Sequence, residues 1–173
     1  DTLDGALCFA GPALVRIHTP SPSRHGYPSR HTLEQARLAI RCRAFPLFRY
    51  DPEGEGVFCS RITLEGNPDP GADWALDEQG RPLTPAAWAC TETRFAGHFA
   101  PIAEEDAEPL AIDQWLGLDA RARERKTPAL EVGESESTRI SPALARCCES
   151  LAHAWQTLQE LSGHVTPFTE RVN

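Results

Sequence analysis

The chain has 173 residues, enough for one domain of ordinary size with a hydrophobic core, or for one domain with an appendage. Its 25 acidic residues outnumber its 17 lysines and arginines, so the formal net charge is −8. This balance argues against a nucleic-acid partner, because neutralising phosphates requires clustered basic side chains. No apolar run approaches the ~20 residues that cross a bilayer, and no signal peptide is visible, so we expect a cytoplasmic protein without a membrane partner.

The sequence contains no methionine and begins at Asp1, so we interpret position 1 as a cut within a longer protein. Its six cysteines include no C-x-x-C spacing, which argues against a zinc site or an iron–sulfur cluster assembled from local sequence. We expect most of them to be reduced thiols that are buried as small hydrophobic side chains.

The first predicted elements are a strand, a helix and a second strand. Residues 14–18 form a short apolar-rich run that is entered through Gly-Pro and left through Thr-Pro, which is typical of a strand between turns. A helix is predicted over residues 32–43, where Thr32 and Gln35 have the spacing of a capping box. Residues 45–50 alternate and are rich in aromatics, which predicts the next strand. Because a helix joins the two strands, we expect them to be parallel.

The middle of the chain predicts shorter elements separated by loops. Residues 58–64 alternate as a strand, and residues 85–96 form a helix with proline at its first position. An acid-capped helix is predicted over residues 105–116, and a short strand over residues 127–132. The run GESEST at residues 133–138 is the best candidate for a linker.

The last helix, predicted over residues 142–162, has the clearest signals. Ser141 is expected to cap it, Pro142 to occupy its first position and Gly163 to end it. Apolar side chains recur along it at intervals of three and four and form an apolar stripe of Leu144, Cys147, Cys148, Leu151, Trp155, Leu158 and Leu161. This stripe either packs onto its own domain or docks onto a missing domain or a second subunit.

Together these elements predict an α/β fold with a partial parallel sheet, flanking helices and a mostly helical C-terminal extension. We divide the chain into the end of an α/β domain at residues 1–66, an irregular and helical extension at residues 67–138, and a terminal helix with its tail at residues 139–173.

Candidate catalytic residues are few. The sequence has no nucleophile elbow, Walker loop, HExxH pair or dinucleotide-binding glycine motif. His18, His25 and His31 lie around the loop after the first predicted strand, at the edge where open α/β sheets bind ligands. His25 is either a ligand or acid–base group, or an imidazole that is hydrogen-bonded to the backbone. Glu92 and Arg94 are interpreted as the exposed side of a helix, because they are not three or four residues apart.

An ordered set of motifs between Gly11 and Pro52, namely GPALV, TP, HG, EQARLAI and R-FPLFRYDP, resembles a known family. It is similar to the end of the thiamine-diphosphate domain of the pyruvate:ferredoxin (flavodoxin) oxidoreductases, which carry a GPSLI, P-C, HG, KLAV and WPLYRY-P block. A weaker likeness continues through the segments LEGNP and ETRF. The resemblance implies that residues 1–66 end a thiamine-diphosphate-binding fold.

The resemblance also implies a parent enzyme that binds thiamine diphosphate, magnesium and iron–sulfur clusters. The diphosphate and magnesium of the family lie on a GDG-type turn, which this chain lacks. The loop near the cofactor would contain Ser21, His25 and Gly26. A cysteine of that loop completes a cluster's ligand set in the family, whereas Ser21 stands here, and serine is a poor substitute for a thiolate at iron. The corresponding cluster is therefore absent, or it is ligated differently, or the two loops align with a shift of a few residues. We expect the chain alone to bind no cofactor and no metal.

Two functions from different classes follow. The first is the C-terminal fragment of a 2-oxoacid (pyruvate):ferredoxin/flavodoxin oxidoreductase-like enzyme, which completes the thiamine domain, contacts the rest of the parent and a second subunit, and is not catalytic alone. Ferredoxin or flavodoxin would be the electron-transfer partner of the parent. The second is a non-catalytic accessory or docking domain with a related fold. Because a fragment cut from a sheet carries an uncovered edge, we expect the chain to self-associate or to expose an apolar patch.

Overall fold

A computed structural model describes residues 2–132 and 136–165 of the chain. Among these residues the α-helices are α1 (Thr2–Cys8), α2 (Pro22–His25), α3 (Thr32–Arg41), α4 (Pro85–Cys90), α5 (Ile112–Leu116), α6 (Ala120–Arg123) and α7 (Pro142–Leu161). The strands are β1 (Arg49–Tyr50), β2 (Ile62–Thr63), β3 (Phe99–Pro101), β4 (Pro109–Ala111), β5 (Thr127–Val132) and β6 (Glu136–Ile140). The structure is mixed α/β, as the sequence predicts in general.

The main sheet contains four strands in the order β3-β6-β5-β4. β4 and β5 are parallel, whereas β6 pairs antiparallel with both β5 and β3. The register sets Ala129 opposite Arg139 and Phe99 opposite Ile140. The sheet is therefore mixed, and the described strands that build it come from the second half of the chain.

The predicted strand at residues 14–18 does not form in this chain. The segment forms neither a helix nor a strand and pairs with no other segment among the described residues. Leu14 is 95% exposed and Ile17 is 65% exposed. A strand needs a neighbour that satisfies its backbone hydrogen bonds, and the described part of the chain supplies none here. The prediction of a parallel pair with residues 45–50 is therefore wrong as well.

The second and third predicted strands are shorter than expected. Only β1 and β2 pair, and they are antiparallel; Phe58–Arg61 forms a 3₁₀ helix. Asn67 takes the place of a partner strand beside Leu47: its Oδ1 accepts from the Leu47 N–H at 2.9 Å, and its Nδ2 donates to the Leu47 carbonyl at 2.7 Å. One side-chain amide thus satisfies backbone groups for which the sequence predicts strand pairing.

Two of the long predicted helices are confirmed. α3 begins at Thr32 and ends before Arg43, whose φ of 57° lies in the left-handed region that a helix cannot contain. α7 begins after Ser141, whose side chain accepts from the N–H three residues on, and ends before Gly163, whose φ is 76°. None of the described helices, α7 included, combines the length and the apolar composition that crossing a membrane requires.

Three other predicted elements differ from the structure. The helix at residues 85–96 is divided into α4 and a 3₁₀ helix at Thr93–His98. The helix at residues 105–116 is confined to α5, and Pro109 begins β4, an edge strand where proline is tolerated. The linker at residues 133–138 is wrong from Glu136 onward, because β6 pairs there with β5; residues 133–135 lie outside the described ranges. The predicted strand at Thr127–Val132 is confirmed as β5.

The main hydrophobic core lies where α7 packs against α4, α5 and the sheet. Its buried members are Ala86, Ala89, Ile112, Ile140, Leu144, Ala145 and Cys148. Burial raises the pKa of the Cys42 and Cys148 thiols to about 12, so both stay protonated at neutral pH. Cys8, Cys90 and Cys147 are exposed, so the expectation of buried cysteines is wrong for these three.

The apolar stripe of α7 is covered near Trp155 by the chain itself. Trp155 is 1% exposed, and its Nε1 donates to the carbonyl of Ala72 at 2.9 Å. Gln159, one turn further along α7, donates to the carbonyls of Pro70 and Ala72, each at 3.1 Å. Trp155 therefore packs within its own fold, whereas Leu161 at the end of the stripe is 40% exposed.

Candidate functional site

The loop before α3 contains the three residues to which the family resemblance points. Ser21 precedes α2, His25 is the last residue of α2, and Gly26 follows it. The N–H of His25 donates to the Ser21 carbonyl at 2.8 Å, and the N–H of Ser21 donates to His25 Nδ1 at 3.4 Å. The structure thus brings all three residues together in one helical turn.

Gly26 fastens this turn to the 3₁₀ helix Thr93–His98. Its φ is 77°, in the left-handed region, and its carbonyl accepts from the Thr93 N–H at 3.2 Å. A Cβ at Gly26 would lie 1.7 Å from Thr93 Oγ1. Glycine is therefore required both by the backbone conformation and by the close approach of the neighbouring element.

Gly26→Ala should destabilise the fold by about 2 kcal/mol or more, since a left-handed alanine alone costs roughly 1 kcal/mol and the new methyl group must also displace Thr93. Urea denaturation measures the loss. Thr93 is exposed, so the double variant Gly26→Ala/Thr93→Ala should recover the part of the steric cost that Oγ1 causes. The backbone cost and a 2.9 Å approach to the Cβ of residue 93 remain. Gly97→Ala is the control, because a Cβ there meets nothing within 4 Å. A neutral Gly26→Ala would contradict the close approach.

Glu92 lies beneath this loop and is 1% exposed. Its Oε2 accepts from Nε and Nη2 of Arg94, both at 2.6 Å. Its Oε1 lies 3.5 Å from His25 Nδ1 and receives no hydrogen bond from the described part of the chain. The two contacts from arginine offset the cost of burying the carboxylate. The interpretation of Glu92 and Arg94 as the exposed side of a helix is wrong for Glu92, because α4 ends at Cys90 and the following turn directs Glu92 inward. Arg94 is exposed and lies in the 3₁₀ helix Thr93–His98.

His18 belongs to the N-terminal segment before α2 and is close enough to Glu92 to be affected by its charge. Its ring stacks on Phe45 with the centroids 5.1 Å apart, and its centroid lies 6.3 Å from that of Trp88. Burial is the main cause that lowers the pKa of His18 below its ordinary value, although the negative charge of Glu92 opposes it. We call His18, His25, Glu92 and Arg94 the Glu92 cluster.

Four buried polar atoms in and around the Glu92 cluster have no hydrogen-bond partner among the described residues: His18 Nε2, Tyr27 OH, Trp88 Nε1 and Glu92 Oε1. Such atoms are uncommon in folded proteins, and each one marks a place where a hydrogen bond can still be gained. Donors and acceptors are both present among the four. Chemically, the arrangement can accept a hydrogen bond at Glu92 Oε1 and donate one from Trp88 Nε1.

The loop does not fit the iron–sulfur ligation of the family. Ser21 stands where the family has cysteine, and no group of three or more metal-ligating side chains is found within residues 2–132 and 136–165. Nor does the loop suit a diphosphate, because the buried carboxylate of Glu92 beneath it would repel an anion and already engages Arg94.

Other candidate groups lie apart from the Glu92 cluster. His31 pairs with Glu34 on the surface of α3, so the three histidines of the region do not form one site. A cleft of about 160 Å³ between α5 and α7 is lined by acidic and aromatic side chains that include Asp73, Trp74, Asp113, Glu149 and His153. None of the residues predicted from the family resemblance lines this cleft.

Glu92→Gln should lower the free energy of unfolding by about 2 kcal/mol, because it replaces a charge-assisted contact in a buried setting by a neutral one. Glu34→Gln removes an exposed carboxylate that also faces a histidine, so it should change stability by less than about 0.5 kcal/mol. Chemical denaturation of both variants checks the difference. Equal effects at the two positions would show that the burial of Glu92 has no energetic consequence.

Sequence reasoning missed the roles of Glu92, Tyr27 and Trp88. Glu92 and His25 are far apart in the chain, so no local spacing could reveal their approach. The one local signal is the short break between α4 and the next 3₁₀ helix, which interrupts the helical pattern at Glu92.

Comparison with known proteins does not assign this chain to a family. No family model matches the chain, and no solved structure matches it significantly.

Proposed function

We propose that this chain is the C-terminal part of a 2-oxoacid:ferredoxin/flavodoxin oxidoreductase-like enzyme, in which it completes the thiamine-diphosphate domain and contacts a second subunit. The observation that carries the proposal is the segment at residues 13–18, which has the sequence of a strand but pairs with no strand among the described residues. A sheet contributed by the rest of a longer protein would supply the missing neighbours.

The backbone of this segment is available for pairing. Residues 13–20 make no backbone-to-backbone hydrogen bond with any other described residue. Extended segments with unpaired N–H and C=O groups readily join another sheet, because each new hydrogen bond satisfies a donor and an acceptor at once.

The side chains of the segment also support the proposal. Arg16 and His18 face Phe45, at 5.0 Å and 5.1 Å from its ring centre. Leu14 and Ile17 are 95% and 65% exposed. Burying such a side chain contributes about 1.5–3 kcal/mol. If another part of the parent protein covered Leu14 and Ile17, their burial would stabilise that contact.

The order of the loop and the helix agrees with the family block, because the loop with Ser21, His25 and Gly26 is followed by α3. In open α/β sheets the loop after the carboxyl end of a strand borders the ligand site. In the proposed parent, the Glu92 cluster would hold this loop from below. Its role is to position the loop and not to react.

The parent would decarboxylate pyruvate or another 2-oxoacid, release an acyl-CoA and pass electrons to ferredoxin or flavodoxin. Thiamine diphosphate, magnesium and the iron–sulfur clusters would be bound by residues outside this chain. The present chain contributes structure and contacts to that reaction, with no catalytic residue among its own.

A non-catalytic accessory or docking domain is the second candidate. Ser21 in the place of a cluster-ligating cysteine favours it, because a domain that has lost its cofactor has no further need of that thiolate. In this case residues 13–18 would still pair with a partner's sheet, but no thiamine site would precede them.

The coding sequence upstream of Asp1 distinguishes the two candidates. The enzyme requires a GDG-type turn followed by an asparagine, and the longer protein should then bind thiamine diphosphate with magnesium and decarboxylate pyruvate or a related 2-oxoacid. An upstream region without this motif, in a protein that does not bind thiamine diphosphate, would overturn the first candidate in favour of the second.

The chain alone should bind neither cofactor. Titration calorimetry with thiamine diphosphate and magnesium should give no heat above that of dilution, because the chain has no GDG-type turn. Iron–sulfur reconstitution should leave no visible charge-transfer absorption, since Ser21 supplies no thiolate. A stable brown protein with bound iron would show that the cluster is ligated in another way.

A further inference from the structure

The N-terminal strap, which we define as residues 9–20, is attached to the rest of the fold by few contacts. It makes no backbone-to-backbone hydrogen bond with the other described residues. Its ring and cation contacts come from Arg16 and His18, which both lie against Phe45. Gly11-Pro12 and Thr19-Pro20 bound its central part. The strap is therefore a separate unit that can dock and undock while the core stays folded.

His18 is the part of the strap that enters the interior. Its ring stacks on Phe45 at 5.1 Å and approaches the edge of Trp88 at 6.3 Å. Its Nε2 is buried and has no hydrogen-bond partner among the described residues. An imidazolium carries an N–H at both ring nitrogens, so protonation would bury a charged donor without an acceptor.

The charges around His18 act in both directions. Arg16 of the strap, His25 of α2 and Arg94 of the adjoining 3₁₀ helix disfavour a further positive charge. Glu92 favours it, but this carboxylate already accepts two contacts from Arg94. Burial, assisted by the three basic groups, outweighs Glu92 and lowers the pKa of docked His18 below 6.5.

We propose that the strap is an acid-released latch: neutral His18 docks it on Phe45 and Trp88, and protonation of His18 frees residues 9–20 without unfolding the core. This inference concerns the chain's own contacts and does not depend on the proposed function.

The direction with pH follows from the two states of His18. The released imidazole has its ordinary pKa near 6.5, and the docked one has a lower pKa. Docking is therefore at full strength above pH 6.5 and weakens as the pH falls. Between the two pKa values, the docking equilibrium should change by up to about tenfold per pH unit.

The test is an NMR titration of the chain between pH 7.5 and pH 5.0, with nuclear Overhauser contacts between the His18 and Phe45 rings as the measure of docking. The wild type should lose these contacts as the pH falls, while its far-UV circular dichroism stays unchanged. His18→Phe keeps an aromatic ring that cannot be protonated, so its contacts with Phe45 should persist at pH 5.0. His153→Gln removes an exposed histidine of α7 and should behave as the wild type does.

Three results would overturn the latch. The first is retention of the His18–Phe45 contacts after His18 has titrated, which would mean that Glu92 captures the imidazolium. The second is loss of the contacts at pH 5.0 in His18→Phe, which would assign the effect to another group. The third is loss of helical signal over the same pH range, because release would then be part of global unfolding.

Discussion

Trp155→Ala should lower the free energy of unfolding by about 4 kcal/mol, the largest effect expected of a single side chain in this fold. Trp155 is 1% exposed, its Nε1 donates to the carbonyl of Ala72 at 2.9 Å, and its ring carries the guanidinium of Arg43 at 4.0 Å. The substitution removes a large buried ring, leaves a cavity and removes one of the three donors to the Ala72 carbonyl. Urea denaturation followed by circular dichroism at the helix band measures the change.

Gln156→Ala is the matched control, since Gln156 is the exposed neighbour on the same helix and should cost less than about 0.5 kcal/mol. The pair also tests the apolar stripe of α7. If Trp155 is core, its substitution weakens the folded chain itself. A folded, stable Trp155→Ala chain that merely dissociates from a dimer in sedimentation would instead make this part of the stripe a docking surface.

Arg43→Met should lower the free energy of unfolding by about 3 kcal/mol, because the buried guanidinium of Arg43 holds the loop at residues 68–72 in place. Arg43 is fully buried, and its Nη2 donates to the carbonyls of Pro68, Asp69 and Ala72 at 2.8, 3.0 and 3.3 Å. Burial lowers the pKa of Arg43 to about 10, so it remains charged at neutral pH. Methionine keeps the apolar stem but leaves the three carbonyls without this donor.

Arg41→Met provides the comparison two residues earlier. Arg41 is exposed, and its side chain donates a hydrogen bond to the carbonyl of Leu76 at 2.8 Å, so Arg41→Met should lower the free energy of unfolding by less than about 1 kcal/mol. Thermal and urea unfolding of both variants measure the two losses of stability. Similar losses at positions 41 and 43 would contradict the role of Arg43 as the organiser of residues 68–72.

Elements whose signals are local could be predicted from the sequence. Ser141 and Pro142 predict the start of α7, and Gly163 predicts its end. The structure places all three residues as expected. β5 is predicted with its observed bounds, Thr127–Val132. These features depend on neighbours within a few residues along the chain.

Elements that depend on distant partners could not be predicted. Residues 14–18 carry a strand pattern, but pairing needs a second strand, which the described residues do not supply. β6 has mostly exposed side chains, so its pairing with β5 leaves little trace in its sequence. The Glu92 cluster likewise joins the loop before α3 to the end of α4, and only the folded chain brings those segments together.

The central claim is that residues 14–18 form a strand only when they pair with a sheet from a longer protein. Amide hydrogen exchange at these residues tests it most directly. In the chain alone these amides should exchange near the unprotected rate, while those of α7 are protected. In a protein extended upstream of Asp1, exchange at residues 14–18 should slow by at least about a hundredfold, since paired strands open only rarely. Equally fast exchange in both proteins would contradict the claim.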